Sequence, residues 1–298
     1  MLYLFDFEIR KHMKLYSIET GNFKLDGGAM FGVVPKSIWN KMYPADENNM
    51  IKIALRSLLV VDGDRKILID SGLGDKHGEK FLSHYYLDNN TSLEKSLSAV
   101  GYSTDDITDN ILSHLHFDHC GGSVKYNEDK TKLVPTFKNA TYWVSRKQWN
   151  SALNPNRREV ASYFNDNYVP LKEHGQLQLI DEDSKLFPNL YVKIYSGHTE
   201  GQIIPFIKTE ESGQDKSTVV FMADLIPFTT HLHLPFIMSY DISPILSLKE
   251  NETFLEEAVA GNYILFFQHD IYNECCTVHK TEKGYRAKEI FKLSDKFN

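Results

Sequence analysis

Cysteine is scarce in this sequence of 298 residues, which contains three: Cys120, Cys275 and Cys276. An odd number of cysteines, with two of them adjacent, makes a poor disulfide framework and suits a reducing compartment. Residues 1–20 carry acidic side chains inside their apolar run and have no small-residue cleavage site, so they do not predict a secretory signal. We therefore expect a cytoplasmic protein.

Long apolar runs, basic blocks, repeats and linkers are also lacking. No uninterrupted apolar stretch reaches the roughly 18 residues that span a bilayer, so we expect no membrane partner. Lys and Arg number 33 against 40 Asp and Glu, and the net charge of -7 is spread along the chain, which disfavours nucleic-acid binding. Because no Pro/Gly/Ser-rich linker divides the sequence, we predict a single domain over residues 1–298.

Short β-type runs alternate with helical segments, which indicates a mixed α/β layered fold. Residues 51–72 predict a hairpin that turns at Asp62-Gly63. In residues 91–101, Thr91 as N-cap and Glu94 three residues later predict a short amphipathic helix. Four predicted strands lead into a residue that can bind metal, and loops at strand ends often carry catalytic groups. These residues are His114, His198, Asp224 and His269.

The stretch HLHFDH at residues 114–119 places three histidines and one aspartate in six positions. Imidazole nitrogens and a carboxylate are the ligand set that zinc and similar metals accept. His114 and His116, two apart in extended chain, point the same way, whereas Asp118 and His119 on the following turn can face a second metal. A single histidine here has a surface position as its simplest explanation, but the whole string predicts a metal site.

Together these residues resemble the metallo-β-lactamase superfamily. Its pattern is an HxHxDH string, a later His in a GHT turn, an Asp after a strand and a final His, which appear here as HLHFDH, SGHTEG, MADL and FFQHD. The LIDSG stretch around Asp70 matches the early acidic loop of the family, and the likeness covers roughly residues 50 to 270. It implies an α/β (α+β) fold, a four-layer αββα sandwich with metals in a cleft at one edge of the sheets. Residues 1–50 would pack near that cleft.

The resemblance implies seven ligands shared between two divalent ions, which we expect to be Zn²⁺. The first ion would be held by His114, His116 and His198. The second would be held by Asp118, His119 and His269, and Asp224 would bridge the two ions.

The resemblance also implies a role for Asp70 as a hydrogen-bond acceptor that orients a ligand histidine; a plain turn residue is the alternative. Two divalent ions about 3.5 to 4 Å apart lower the pKa of a shared water toward neutrality, and the resulting hydroxide would attack an ester carbonyl. Asp118, a ligand close to that hydroxide, is the predicted catalytic residue that relays a proton to the leaving group. We therefore expect a hydrolase.

The segment after Asp224 bears most directly on the substrate. Residues 229–241, TTHLHLPFIMSYD, offer apolar side chains suited to line a groove for an acyl chain or aryl group, with core packing as the alternative. Lactonases of the family often have a carbonyl-binding tyrosine three residues after the bridging Asp, where this chain has Pro227. The predicted substrate contacts are Phe228, Thr230, His231 and Tyr240.

The arrangement is most similar to the branch that contains N-acyl homoserine lactone lactonases and methyl parathion hydrolases. We expect a dinuclear lactonase, active in quorum quenching, whose partner is a small lactone or ester. An organophosphate or aryl ester hydrolase of the same fold is one alternative, and a metal-binding sensor protein without turnover is another. A homodimer is the default expectation for a soluble oligomer.

Overall fold

The structure, a computed structural model, describes residues 13–88, 90–210 and 216–297. The prediction about a secretory signal concerns the first residues of the chain, and residues 1–12 lie outside the described part. No helix of the described ranges is long and apolar enough to cross a membrane. All three cysteines are buried as free thiols.

The strands are given in chain order, numbered β1 to β15. They are Lys14–Asp26 (β1), Met50–Asp62 (β2), Arg65–Ile69 (β3), Asp109–Ile111 (β4), Val124–Tyr126 (β5), Leu133–Pro135 (β6), Thr141–Ser145 (β7), Leu177–Ile180 (β8), Ser184–Phe187 (β9), Leu190–Tyr195 (β10), Gln202–Glu210 (β11), Lys216–Phe221 (β12), Ile264–Phe266 (β13), Cys275–Thr281 (β14) and Gly284–Phe291 (β15).

The helices are numbered α1 to α9 in the same way. They are Gly27–Phe31 (α1), Lys36–Trp39 (α2), Glu79–His84 (α3), Leu93–Ala99 (α4), Phe117–Cys120 (α5), Arg146–Leu153 (α6), Val169–Glu173 (α7), Pro244–Ala260 (α8) and Ser294–Phe297 (α9).

Two large sheets form the middle of the molecule. The first has six strands in the order β1-β2-β3-β4-β7-β8, and the second has seven in the order β15-β14-β13-β12-β11-β10-β9. In the first sheet β3 pairs parallel with β4, β4 with β7, and β7 with β8. In the second sheet β12 pairs parallel with β13. The remaining pairs in these two sheets are antiparallel. The parallel strands deliver the loops after them to one edge, where the candidate site lies.

Strand β2 shows why the layers stack as they do. Its side chains alternate between two cores: Leu58 and Val60 pack in the core between the sheets, whereas Leu59 and Val61 pack in a second core on the outer face. The inner core also contains Phe254 of α8, and the outer core contains Leu97 of α4. A strand buried on both faces must read as a continuous apolar run, which explains the sequence LLVV.

The predicted αββα sandwich is therefore confirmed. The predicted hairpin is also present, since β2 and β3 pair antiparallel and Gly63 adopts a φ of 60° in the turn. The predicted N-cap of α4 is wrong by one residue. Ser92, not Thr91, caps the helix by accepting from the Lys95 backbone N–H at 3.3 Å, whereas the Thr91 hydroxyl lies 3.1 Å from that of Ser96.

Candidate metal centre

The HLHFDH stretch changes backbone conformation halfway along. The chain continues past β4 in an extended form, and His116 is still extended, with φ -65° and ψ 150°, before α5 begins at Phe117. The extended part presents His114 and His116, and the first turn of α5 turns Asp118 and His119 in another direction. One short stretch therefore supplies ligand atoms to two neighbouring clusters.

The first cluster comprises His114, His116, His198 and Asp224, whose ligand atoms all lie within 4.8 Å of one another. His116 Nδ1 lies 3.0 Å from His114 Nε2 and 3.3 Å from His198 Nε2. Asp224 Oδ2 is 3.1 Å from His198 Nε2 and 4.0 Å from His114 Nε2. Three ring nitrogens and one carboxylate oxygen therefore surround a single point.

The second cluster comprises Asp118, His119 and His269. Their closest ligand atoms are the Nε2 atoms of His119 and His269, 3.2 Å apart, and Asp118 Oδ2 lies 3.5 and 3.7 Å from these two nitrogens. The other oxygen of Asp224, Oδ1, is 3.0 Å from His269 Nε2 and 3.6 Å from His119 Nε2. Asp224 thus faces the first cluster with one oxygen and the second cluster with the other.

These distances fit metal ions. Zinc binds histidine nitrogen and carboxylate oxygen at about 2.0–2.2 Å, and a tetrahedron of that size has edges of about 3.3–3.6 Å between ligand atoms. Most of the separations in the two clusters lie close to that range. Asp224 Oδ1 and His116 Nε2 are buried without a hydrogen-bond partner among the described residues. The His/Asp clusters are therefore suited to binding metal ions.

Every histidine of the two clusters has a polar neighbour on its other ring nitrogen, as metal-binding histidines almost always do. His114 Nδ1 lies 3.1 Å from the Ser113 hydroxyl, and His119 Nδ1 lies 2.9 Å from an Asp70 carboxylate oxygen. His198 Nδ1 lies 2.8 Å from an Asp241 carboxylate oxygen, and His269 Nδ1 lies 2.9 Å from the Ala54 backbone oxygen. The ring of His116 is turned the other way: its Nδ1 faces the cluster, and its Nε2 lies 3.5 Å from Glu159 Oε1.

Asp70 lies where the predicted orienting residue should be. Its Oδ2 lies 2.9 Å from His119 Nδ1, and its two oxygens also accept from the Ser113 backbone N–H and hydroxyl at 2.7 Å each. Asp70 has a φ of 57°, and Ala223, next to Asp224, has a φ of 41°. Non-glycine residues seldom adopt such angles, because the conformation costs about 1–3 kcal/mol.

The pKa values reflect burial and the crowding of charges. Burial, together with the neighbouring histidines, lowers the pKa of His114 well below its ordinary value, and burial also lowers the pKa of His116. At His119 and His198 burial opposes the charged form, but nearby carboxylates outweigh it and raise both pKa values. Burial opposes ionisation of Asp224 as well, yet the surrounding histidines hold its pKa well below the usual range. Because metal ligands must be deprotonated, binding of an ion here releases protons.

A cleft of about 370 Å³ opens onto both clusters, which is within the size range of small-molecule sites. Its walls are largely apolar, and polar side chains stand among them. The apolar lining residues are Leu25, Met30, Ile53, Phe117, Ala161 and Met238. The other lining residues outside the clusters are Tyr85, Arg158, Glu159, Ser162, Ser239 and Tyr240. Leu25 and Met30 bring part of the N-terminal segment to the cleft.

Of the four predicted substrate contacts, Tyr240 alone lines the cleft, and its side chain is 38% exposed. The other three, Phe228, Thr230 and His231, are described residues that lie outside the cleft lining. Phe228 is fully buried and stacks on Tyr43 at 4.5 Å between ring centroids.

The ring of His231 is occupied in the same aromatic core. It is 2% exposed and stacks on Phe31 at 5.0 Å, and its Nε2 lies 2.9 Å from the Met30 backbone oxygen. Thr230 is half-buried beside it, with its hydroxyl 3.4 Å from His231 Nδ1. The segment after Asp224 therefore turns its first aromatic side chains toward α1 and reaches the cleft only at Met238, Ser239 and Tyr240.

Glu159, Asp241 and Tyr85 were missed in the sequence. Glu159 and Asp241 each carry a buried carboxylate beside a cluster histidine. Tyr85 lines the cleft, and its hydroxyl, like that of Tyr240, makes no hydrogen bond to another described residue. No motif marks any of them, because each approaches the site from a loop or helix end whose docking depends on tertiary contacts. The one available signal was a carboxylate at the end of an apolar loop, at Asp241.

Known proteins share this architecture. A crystal structure described as a probable metal-dependent hydrolase from Staphylococcus aureus has a TM-score of 0.82 and 27% identity, covering 94% of this chain and 98% of that one. An N-acyl homoserine lactonase from Bacillus thuringiensis is 30% identical over 178 residues, 60% of this chain and 62% of that protein, so the match spans less than two thirds of the relative. Another, from Bacillus cereus, is 26% identical over 277 residues, 88% of this chain and 94% of the relative.

A family model also matches the chain, over residues 56–269, and its description is the Metallo-beta-lactamase superfamily. The matched range contains both His/Asp clusters and most of the two sheets. On that match, the chain belongs to the metallo-beta-lactamase superfamily.

Proposed function

We propose that the protein is a dinuclear metal-dependent hydrolase that opens the ester ring of N-acyl homoserine lactones. The observation that carries this proposal is the shared carboxylate of Asp224, which faces two complete ligand clusters at the base of an apolar cleft. The names of the Bacillus relatives add support for the substrate class. Quorum quenching, zinc as the ion, a homodimer and a cytoplasmic location belong to the same proposal.

The ligands follow from the two clusters. The first ion is assigned to His114, His116 and His198, and the second to Asp118, His119 and His269, with Asp224 shared between them. When bound, such a pair of ions activates a water molecule and polarises a carbonyl oxygen.

The side chains of this chain then bind and orient the substrate and move one proton. Asp118 lines the cleft and reaches the second cluster with Oδ2. It is placed to accept a proton from the attacking water, whose oxygen bonds to the carbonyl carbon, and to pass that proton to the ring oxygen as the ester C–O bond breaks. Met30, Ile53 and Met238 on the walls exclude water and bury an acyl chain, each methylene contributing about 0.8 kcal/mol when fully buried.

Two hydroxyls replace the donor that Pro227 cannot supply. Tyr85 and Tyr240 line the cleft, and their phenolic O–H groups make no hydrogen bond to another described residue. A phenol can donate to a carbonyl oxygen of the bound substrate and hold it in one orientation. We assign these two tyrosines to the acyl amide or the lactone carbonyl.

The test is a substrate screen with protein loaded with two equivalents of zinc. We expect proton release from N-hexanoyl and N-decanoyl homoserine lactone, and Asp118→Asn should abolish it. Rapid turnover of aryl phosphotriesters without lactone opening would replace the proposal with the organophosphate hydrolase. Full metal loading without turnover of any ester would favour the sensor protein.

A further inference from the structure

Glu159 is a buried carboxylate at the cleft whose role the ligand assignment leaves open. It is 3% exposed, and its oxygens are held by neighbouring side chains. Oε1 accepts from the Thr199 hydroxyl at 2.5 Å and from the Tyr163 hydroxyl at 3.3 Å, and Oε2 accepts from the Asn156 amide at 2.5 Å. A buried ionised group is costly unless it is paired, so three donors on one carboxylate indicate a fixed position.

The remaining neighbour of this carboxylate is His116. Its Nε2 lies 3.5 Å from Glu159 Oε1 and has no hydrogen-bond partner among the described residues. His116 also differs from the other four cluster histidines, which face the clusters with Nε2. For Nδ1 of His116 to carry the lone pair, the ring proton must be on Nε2, and that proton needs an acceptor.

We propose that Glu159 is a positioning residue that keeps the proton of His116 on Nε2 and aims Nδ1 at the first cluster. The carboxylate also joins two ligand loops, because Thr199, which donates to it, directly follows His198. One side chain thereby sets the spacing between His116 and His198, whose facing nitrogens are 3.3 Å apart. This role rests on the proposed function only in requiring His116 to be a metal ligand.

Direct contact with the substrate is the competing role, since Glu159 lines the cleft. The two roles differ in what they change. A substrate contact alters KM and leaves metal binding untouched, whereas an orienting partner of a ligand changes metal affinity by about 10- to 100-fold. It does so at the cluster that contains the ligand.

The experiment is a zinc titration of metal-free protein against a chromophoric chelator, with no substrate present. For Glu159→Gln we expect one of the two binding steps to weaken by about 10- to 100-fold, and the other to be unchanged. Glu200→Gln is the matched control. Glu200 is exposed and directly follows Thr199, and the substitution removes the same single negative charge as Glu159→Gln. This variant should bind both ions like the wild type. Urea unfolding of each variant establishes that the protein is folded.

Wild-type zinc affinity at both steps in Glu159→Gln would overturn the positioning role, and a raised KM in a separate kinetic assay would then indicate substrate contact. Equal weakening of both steps would also overturn it, since a general loss of structure has no preference for one cluster. Thr199→Val provides a second test that leaves both carboxylate and ligands in place. We expect it to weaken the same step by a smaller factor, and no change there would refute the link between the loops. Because the zinc titrations use no substrate, their outcomes are independent of whether lactones are opened.

Discussion

The sharpest test of the cleft architecture is Gly32→Ala. Gly32 ends α1 with a φ of 58°, and a Cβ built there would lie 2.2 Å from the backbone oxygen of Ile237. Two costs arise: the backbone conformation at φ 58° and ψ -123° costs an L-residue about 1–3 kcal/mol, and forcing an extra carbon into a packed region also costs about 1–3 kcal/mol. The obstacle is a backbone carbonyl, so it cannot be relieved by rotating a side chain.

Gly63→Ala is the matched control, because it has the conformational cost without the steric one. Gly63 has a φ of 60°, but a Cβ there meets nothing within 4 Å, so only the conformational cost applies. We therefore expect Gly32→Ala to lower the free energy of unfolding by about 1–3 kcal/mol more than Gly63→Ala, measured by urea denaturation at a fixed zinc concentration. Gly32→Ala should also weaken zinc binding, because Ile237 lies four residues before Asp241, which holds His198. Equal destabilisation by the two variants would refute the reasoning.

Three further predictions concern the site itself. Asp241→Asn keeps the shape of the side chain but removes the charge beside His198 Nδ1, and chelator competition should show zinc affinity lower by about 10- to 100-fold. Removing the ions by dialysis against a chelator should lower the melting temperature, since each site stabilises the fold by about 4 kcal/mol at a free ion concentration one thousand times its Kd; an unchanged thermal scan would contradict this. Tyr85→Phe and Tyr240→Phe each remove one hydrogen bond of about 0.5–1.5 kcal/mol, so at least one should lower kcat/KM about 2- to 12-fold for lactones without changing zinc affinity.

The ligand clusters near HLHFDH and the strands around them could be predicted from local sequence patterns. HLHFDH changes from extended chain to a helical turn within six residues, so its local pattern was enough to predict two directions of ligand atoms. The run LLVV in β2 likewise predicted a strand without reference to the rest of the fold. The predicted N-cap of α4 was wrong by one position, because Thr91 and Ser92 are both residue types that suit an N-cap. The structure distinguishes them, since the Ser92 hydroxyl accepts from the Lys95 backbone and the Thr91 hydroxyl contacts Ser96 instead.

The orientation of the loop after Asp224 could not be read locally. Apolar side chains occur along the whole segment, so the sequence pattern does not indicate which of them face the cleft. Phe31 and Tyr43, far away in sequence, provide the aromatic surface that takes up Phe228 and His231. Glu159 was missed for the same reason, since its contact with Thr199 joins positions 40 residues apart.

The segment from Met238 to Asp241 has a consequence for how this protein can change over evolution. Met238, Ser239 and Tyr240 line the cleft, and Asp241 contacts His198 of the first cluster. A new loop of different length, introduced to admit another ester, would displace that carboxylate as well. If the proposed function holds, a change of loop length alters substrate range and metal binding together, and point substitutions at Met238 or Tyr240 are an easier route to new specificity than insertions.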